Sequence, residues 1–259
     1  HWAGFPFESI VYCLNEAGIS LGQVDHLAIN QDAKANLWKK ISFILAKKPD
    51  LGMVMDRIRN KQERTNLNSV LNSQFKEPFQ GQFHEIEHHL AHLSSTFHVS
   101  PFNEAVIISV DGFGDFASSA WGFGKGKEIK IDKRVFFPHS LGIFYQALTQ
   151  WLGFPNYGDE YKVMGLAPYG KPEHMDIMRE LVLVKNDGSF ELGLKYFRFH
   201  KEKIDYQWEN SEPKIGLLFS ELLEETIGPM RQKDQELTQF HKNIARSVQE
   251  MYEEAFFNL

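Results

Sequence analysis

One stretch decides the fold of this chain: Ala105-Val106-Ile107-Ile108-Ser109-Val110-Asp111-Gly112-Phe113-Gly114-Asp115. Its run of valines and isoleucines predicts a buried strand over residues 105–110. The Asp-Gly pair that follows predicts a tight hairpin turn, and the glycines would let a ligand oxygen approach backbone N–H groups. Asp111 stands at the carboxyl end of the strand, where it can ligate a metal or hold its water. The hairpin and the binding site are compatible predictions, because a hairpin turn can itself bind a ligand.

A histidine-rich run precedes this strand: Phe83-His84-Glu85-Ile86-Glu87-His88-His89-Leu90-Ala91-His92. His84 to His88 matches HExxH, in which two histidines one helical turn apart bind zinc and the glutamate is the base. That motif requires a helix, whereas residues 82–87 alternate as a strand does. On a strand, positions four apart lie ~13 Å apart, too far to chelate one ion. An HExxH metallohydrolase is therefore kept only as an alternative.

His88 and His92 form a second pair, at the start of a helix predicted to run to Phe97. Residues four apart on a helix have Cβ atoms ~5–6 Å apart, so both rings can reach one ion. Two imidazoles leave positions open for a carboxylate, water or ligand, which suits iron, manganese or zinc. The alternative is two ordinary polar side chains near a helix end.

A third cluster, residues 157–170, mixes acids, a lysine, glycines and tyrosines in one short loop. Lys162 could contact a phosphate or carboxylate, and Asp159 or Glu160 could accept a proton from a hydroxyl. A structural loop can also contain these residues, although loops this mixed often line a site.

The remaining pattern alternates helices and strands, which indicates an α/β class. Helices are predicted over 7–17, 37–45, 53–71 and 237–255, and strands over 24–29, 82–87, 119–124 and 129–136. A break at 100–103 is a plausible lobe boundary, and the chain beyond Pro138 should be mostly helical, with a possible strand at 190–199.

Composition excludes several classes of function. A net charge of -6 argues against a broad surface for nucleic acid or membrane, since either would need a basic face. Cys13 is the single cysteine, so there is no internal disulfide, and a reducing compartment is expected. No apolar run approaches the ~20 residues that span a bilayer. We therefore expect a cytoplasmic protein.

Three motifs in order carry a family resemblance: EHHLAHLSSTF (87–97), SVDGFGD (109–115) and YGDEYKVMGLAPYG (157–170). Together they resemble the O-carbamoyltransferase family, whose members include the nodulation protein NodU and the cephamycin and tobramycin carbamoyltransferases. The resemblance extends through essentially the whole chain.

The resemblance implies a fold similar to the ASKHA fold of actin and sugar kinases, a ribonuclease H-like architecture. Residues 1–100 would be part of the first lobe, with the histidine motif. Residues 101–259 would begin the second lobe, with the Asp-Gly hairpin and a helical insertion. Both lobes would be incomplete, because family members have a strand-hairpin before His1 and a nucleotide loop and metal-binding aspartate after Leu259. The isolated chain is therefore expected to be inactive.

The resemblance also implies the reaction and its participants. A YrdC-like domain in the same parent chain would make carbamoyl adenylate from carbamoyl phosphate and ATP. The N-terminal part, to which residues 1–259 correspond, would then pass the carbamoyl group to a hydroxyl of a sugar, antibiotic or oligosaccharide. A non-catalytic ASKHA-type nucleotide-binding domain that keeps the motifs is the other alternative.

The family pattern assigns roles to particular residues. His88, His92 and Asp111 would hold a divalent metal, usually described as iron, beside the carbamoyl adenylate. The turn that follows would lie near the adenylate phosphate; it comprises Gly112, Phe113, Gly114 and Asp115. Asp159, Glu160 and Lys162 are the candidates for contacts with substrate.

Overall fold

The computed structural model describes residues 5–47, 67–209 and 212–259. The helices of this part are α1 Phe7–Ala17, α2 Leu37–Lys47, α3 Leu67–Gln74, α4 His88–Phe97, α5 Leu141–Trp151, α6 Glu160–Leu166, α7 Met175–Leu181, α8 Glu221–Ile227 and α9 Gln239–Asn258. The strands are β1 His26–Ile29, β2 Gln82–Glu85, β3 Glu104–Gly114, β4 Ala117–Lys125, β5 Glu128–Phe136, β6 Val182–Val184, β7 Phe190–Leu192, β8 Tyr206–Glu209 and β9 Glu212–Ile215. Most of the helix predicted at 53–71 lies outside the described residues.

The strands form four small sheets in the described part of the chain. β1 and β2 pair in parallel, and β3, β4 and β5 form an antiparallel meander. β6–β7 and β8–β9 are antiparallel hairpins. The α/β class is confirmed, whereas the division into lobes at residue 100 stays a prediction. Only the short β7 lies within the possible strand at 190–199, and β8–β9 was not predicted.

The main core forms around α5 and α9. Trp151 and Phe144 on α5 are fully buried, and so are Ile244, Val248 and Met251, which recur on one face of α9 at helical spacing. Burying a large apolar side chain stabilises the fold by about 1.5–3 kcal/mol. This core holds α5, whose first turn packs against β3, and so fixes one side of the functional region.

A second, smaller core attaches α4 to the meander. Leu93 and Phe97 on α4 pack against Ile107 of β3 and Ala120 of β4, and all four are buried. The 93/97 spacing places both apolar side chains on the face of α4 that meets the sheet. The helix with His88 and His92 is therefore anchored to the strand with Asp111.

The β3–β4 hairpin differs from its prediction. Its turn was expected at Asp111-Gly112, but β3 continues to Gly114 and the turn lies at Asp115-Phe116, where φ is 47° and 74°. Two consecutive positive φ angles fit the tight two-residue turn whose twist matches that of the strands. Asp tolerates this conformation; Phe is held there by the rings of Phe43 and Phe137, with centroids 5.8 and 5.6 Å away.

Candidate metal centre

Three predicted ligands converge at the start of α4. His88 Nε2 lies 2.8 Å from Asp111 Oδ2, His92 Nε2 lies 3.4 Å from the same oxygen, and the two nitrogens are 3.0 Å apart. One ligand atom from each side chain lies within 4.8 Å of the other two. The structure therefore brings together the three residues that the sequence singled out.

His88 is oriented from both sides of its ring. Its Nδ1 lies 3.2 Å from the carbonyl oxygen of Asn30, which can only accept, so Nδ1 carries the proton of this bond. A metal-binding histidine is commonly held in this way, with its other nitrogen directed at the ion. Gly114 packs against the ring so closely that an added Cβ would lie 2.0 Å from His88 Cδ2.

Asp111 is placed by an irregularity in β3. Val110 pairs with Ser119, and Gly114 pairs with Ala117. Residues 111–113 of β3 therefore lie opposite the single residue Ser118 of β4. Such a bulge bends the strand and re-aims its side chains, and bulges are frequent next to functional sites. The backbone N–H of Gly112 donates to Asp111 Oδ1 at 2.6 Å, which fixes the carboxylate further.

The first turn of α5 supports this bulge. Ser140 accepts a hydrogen bond from Ile143 N as the helix cap, and its hydroxyl donates to the carbonyl oxygen of Asp111 at 3.0 Å. Gly142 approaches so closely that a Cβ would lie 2.9 Å from that oxygen. Sequence reasoning missed Asn30, Ser140 and Gly142. A serine before an apolar run is a signal for a helix start, but it carries no information about a contact with Asp111.

The electrostatics couple His88 to Asp111. The hydrogen bond from His88 holds the pKa of Asp111 well below its usual range, against the opposing effect of burial. The same bond raises the pKa of His88 above its ordinary value of 6.5, again against burial. In the metal-free protein the binding of a proton to His88 beside Asp111 is therefore favoured. A metal ion would displace this proton, so metal binding should weaken as the pH falls.

The donor set fits a divalent transition metal. Two imidazole nitrogens and one carboxylate oxygen on one side of an ion are a recurrent arrangement for iron, and manganese or zinc accept the same donors. Three protein ligands leave coordination positions for water or a substrate oxygen. Among the residues that the structure describes, this is the one group of three or more such side chains positioned for an ion.

A cleft of about 430 Å3 reaches the ligand cluster at Asp111, which lines it together with Gly112. Its walls come from β3, α5, α6 with the segment before it, and α9. The hydroxyl of Tyr145 donates to Gln249 Oε1 at 2.8 Å on one wall. The remaining lining residues are Val110, Gly142, Gln146, Tyr157, Gly158, Glu160, Met164 and Tyr252.

The three candidates from the third cluster take different positions, and the cluster is not the loop that was predicted, because helix α6 contains Glu160 and Lys162. Glu160 borders the cleft. Asp159 is buried, accepts a hydrogen bond from Asn156 N, and forms an ion pair with Lys162 at 2.7 Å. The structure therefore brings Glu160, but not the Asp159–Lys162 pair, to the wall beside Asp111.

The four residues predicted near a phosphate also differ in what they contact. An added Cβ at Gly112 would meet no atom within 4 Å, so its backbone is open to a ligand. Phe113 instead joins the core, with its ring centroid 5.1 Å from that of Phe137. Gly114 packs on His88, and the Asp115 carboxylate accepts backbone hydrogen bonds from His88 and Asp32.

The HExxH interpretation fails on local structure. His84 lies on strand β2, and α4 begins only at His88, so the two histidines do not share a helix face. His84 Nε2 is instead 3.0 Å from Nδ1 of His26, on the neighbouring parallel strand. The strand predicted from the alternation is confirmed, and the helix that a zinc protease needs is absent at 84–88.

Comparison with known families shows the family to which the chain belongs. A sequence profile described as "Carbamoyltransferase N-terminus" matches residues 1–258. The chain belongs to this carbamoyltransferase family. Because the matched residues include all three motifs, the predicted family is confirmed.

Relatives of this chain include an uncharacterized protein and two nodulation proteins. The chain is 32% identical over 268 residues to an uncharacterized protein of Synechocystis sp., covering 100% of the chain and 42% of that protein. It is 30% identical to the nodulation protein NolNO of Sinorhizobium fredii (100% and 34%) and 31% identical to NolO of Bradyrhizobium diazoefficiens (67% and 27%). The chain thus spans less than half the length of these relatives. None of its described helices is long and apolar enough to cross a bilayer.

Proposed function

We propose that this chain forms the acyl-transfer part of an O-carbamoyltransferase with an ASKHA-type fold, which moves a carbamoyl group from carbamoyl adenylate to a substrate hydroxyl. The observation that carries the proposal is the convergence of His88, His92 and Asp111 beside an open cleft. Family membership supports carbamoyl transfer in general. The donor, the metal and the acceptor are our inference.

The proposed centre would hold iron, or alternatively manganese or zinc, through His88 Nε2, His92 Nε2 and Asp111 Oδ2. A bound divalent metal supplies a Lewis acid that polarises the carbamoyl carbonyl and offsets charge developing on its oxygen. The Asn30 carbonyl keeps the His88 ring turned toward the centre, and the β3 bulge keeps Asp111 there.

The proposed donor site is the cleft. Carbamoyl adenylate, formed from carbamoyl phosphate and ATP, would lie along the wall of Tyr145, Tyr157 and Tyr252, whose rings offer apolar faces to a base or ribose. Its phosphate would approach the backbone at Gly112, where no side chain intervenes. Glu160 would accept a hydrogen bond from a ligand hydroxyl.

The proposed reaction needs no covalent enzyme intermediate. The acceptor oxygen attacks the carbamoyl carbon, the bond from that carbon to the phosphate oxygen breaks, and adenylate leaves. The hydroxyl proton passes to the departing phosphate or to water, so the products are the carbamoyl ester and adenylate. The acceptor would be a sugar, antibiotic or oligosaccharide. A YrdC-like domain of the same polypeptide would make the donor, and the greater length of the relatives leaves room in them for such a domain.

The test is turnover by the full-length protein with carbamoyl phosphate, ATP, Fe²⁺ or Mn²⁺ and a panel of hydroxyl compounds. Adenylate and carbamoylated product are measured together. His92→Ala should lose transfer, whereas Glu85→Gln should retain it, because Glu85 is exposed on β2 and only a HExxH hydrolase would need it. Nucleotide binding without any transfer would instead favour a non-catalytic domain, and full activity of His92→Ala would contradict the proposed centre.

A further inference from the structure

We propose that Asp115 is a positioning residue for the metal centre, because its carboxylate sets the histidine-bearing helix against the aspartate-bearing strand. This inference rests on the proposed function, since it concerns the same ligands. It replaces a direct phosphate contact as the role of Asp115.

Asp115 joins three segments of the chain at one point. Its Oδ2 accepts a hydrogen bond from His88 N at 2.9 Å and another from Asp32 N at 2.8 Å. Its own carbonyl oxygen accepts a hydrogen bond from the side-chain amide of Asn36 at 2.9 Å. The hairpin turn is therefore tied both to the start of α4 and to the segment that follows β1.

The bond to α4 is a helix cap supplied from a distant part of the sequence. The first N–H groups of a helix have no partner inside it, and they attract negative charge. Glu87 satisfies one of them, at Leu90 N, in the ordinary local way. Asp115 satisfies another, at His88 N, from 27 residues away. The turn with two positive φ angles directs the carboxylate back to the helix.

The same residue, His88, receives this cap and provides a ligand nitrogen. Asp115 therefore acts on the centre through one residue: its bond fixes the His88 backbone, and the ring extends from there to Asp111. Asp32 lies two residues after Asn30, whose carbonyl oxygen holds the other side of the ring. Loss of the Asp115 carboxylate would loosen both supports of His88 at once.

The expected effect is a loss of metal affinity. Bonds from nitrogen or oxygen to zinc lie near 2.0–2.2 Å, so a small displacement of His88 weakens them. Removing a partner that orients a ligand typically lowers metal affinity about 10–100-fold. We expect a loss in this range for Asp115→Ala. Asp115→Asn should rescue most of the affinity, because its amide oxygen can accept both backbone hydrogen bonds.

The experiment titrates Zn²⁺ into the metal-free full-length protein against a competing chelator, with thermal unfolding recorded for each variant. Asp187→Ala is the matched control: Asp187 Oδ1 also accepts a backbone hydrogen bond in a turn, from Ser189 N at 3.1 Å, between β6 and β7. It should change stability without changing zinc affinity. Asp115→Gly also removes the carboxylate but tolerates the positive φ of 47° at this position, so it tests the proposal should Asp115→Ala not fold.

Each outcome decides the proposal. Weaker zinc binding by Asp115→Ala with rescue by Asp115→Asn, or weaker binding by Asp115→Gly, supports it. Wild-type affinity in folded Asp115→Ala, or in Asp115→Gly where the former does not fold, overturns this inference alone. Failure of the wild-type protein to bind zinc, iron or manganese overturns the proposed metal centre together with it.

Discussion

The two hairpins of the meander share strand β4, and both have register shifts, but they differ in what their turns contact. The β4–β5 turn is exposed, and an added Cβ at Gly126 would meet no atom within 4 Å. The β3–β4 turn is tied to α4 and to the segment after β1 through Asp115, and its strand bulges where Asp111 stands. The β4–β5 hairpin completes the sheet, whereas the β3–β4 hairpin also positions the carboxylate of Asp111.

The β3–β4 hairpin contains irregular backbone that is supported by contacts from other parts of the fold. The bulge, the two positive φ angles and the close approach of Gly142 all occur within the β3–β4 hairpin or against it. Strained conformations persist only where the surrounding contacts determine them. Those contacts are supplied by α4, α5 and the aromatic rings beside Phe116. Substitutions in the two hairpins should therefore separate effects on stability from effects on metal binding.

The largest expected difference is between two aspartates of the meander. Asp111→Asn should weaken divalent-metal binding by more than about 100-fold, because losing a ligand costs more than losing an orienting partner. Asp132→Asn, on β5, should have no effect, since Asp132 is exposed and pairs only with Lys130 among the ion pairs of the described residues. Competition with a chelator measures both, and equal affinities would remove Asp111 from the centre.

Two glycines give the next comparison. Gly114→Ala should lower the free energy of unfolding by about 1–3 kcal/mol, as overpacking does, and should also displace the His88 ring and weaken metal binding. Gly126→Ala should cost a similar ~1–2 kcal/mol, because its φ is 60°, but should leave metal affinity unchanged. Chemical denaturation and metal titration separate the two variants. Unchanged affinity in Gly114→Ala would contradict the packing of Gly114 on His88.

Two helix caps provide a further comparison, with smaller expected effects on stability and metal affinity. Ser140→Ala and Thr238→Ala should each cost about 1 kcal/mol, because each removes an N-cap side chain, of α5 and α9 respectively. Only Ser140 also donates to the carbonyl of Asp111, so only its loss should reduce metal affinity. Equal metal affinities in the two variants would show that the bulge holds Asp111 without Ser140.

The smallest expected effect is a pH dependence in the metal-free protein. Because hydrogen bonding to Asp111 raises the pKa of His88, the pair stabilises the fold fully below pH 6.5 and loses that contribution as the pH rises through the raised value. The contribution should stay below about 1 kcal/mol, since the Asp111 side chain is 43% exposed and water screens it. Urea unfolding of wild type and Asp111→Asn should converge as the pH increases from 6 to 9. A constant difference would contradict the coupling.

Much of this fold follows from local patterns. The β4–β5 hairpin was predicted at 119–124 and 129–136, within two residues of its observed bounds, because alternation and a glycine turn determine it. The β3–β4 turn was misplaced by four residues, since Asp111-Gly112 has the commoner turn chemistry. The observed turn depends on Phe43 and Phe137, which are distant in sequence and leave no local signal.

The candidate site, like the fold, could be predicted only in part. His88 and His92 could be paired from helical spacing alone, and Asp111 from its place after a buried strand. Asn30 could not be predicted, because its contribution is a backbone carbonyl that any residue offers. The ion pair of Asp159 with Lys162 was also unforeseen: the same side chains suit a ligand, and only burial shows that they hold each other.

The central claim is that His88, His92 and Asp111 hold one metal ion. The most direct test is a crystal structure of the full-length protein grown with Mn²⁺ or Fe²⁺, with anomalous scattering recorded at the absorption edge of the metal. The account predicts one strong peak bonded to both Nε2 atoms and to an Asp111 oxygen. No peak there, or a peak only on the His26–His84 pair, would contradict it.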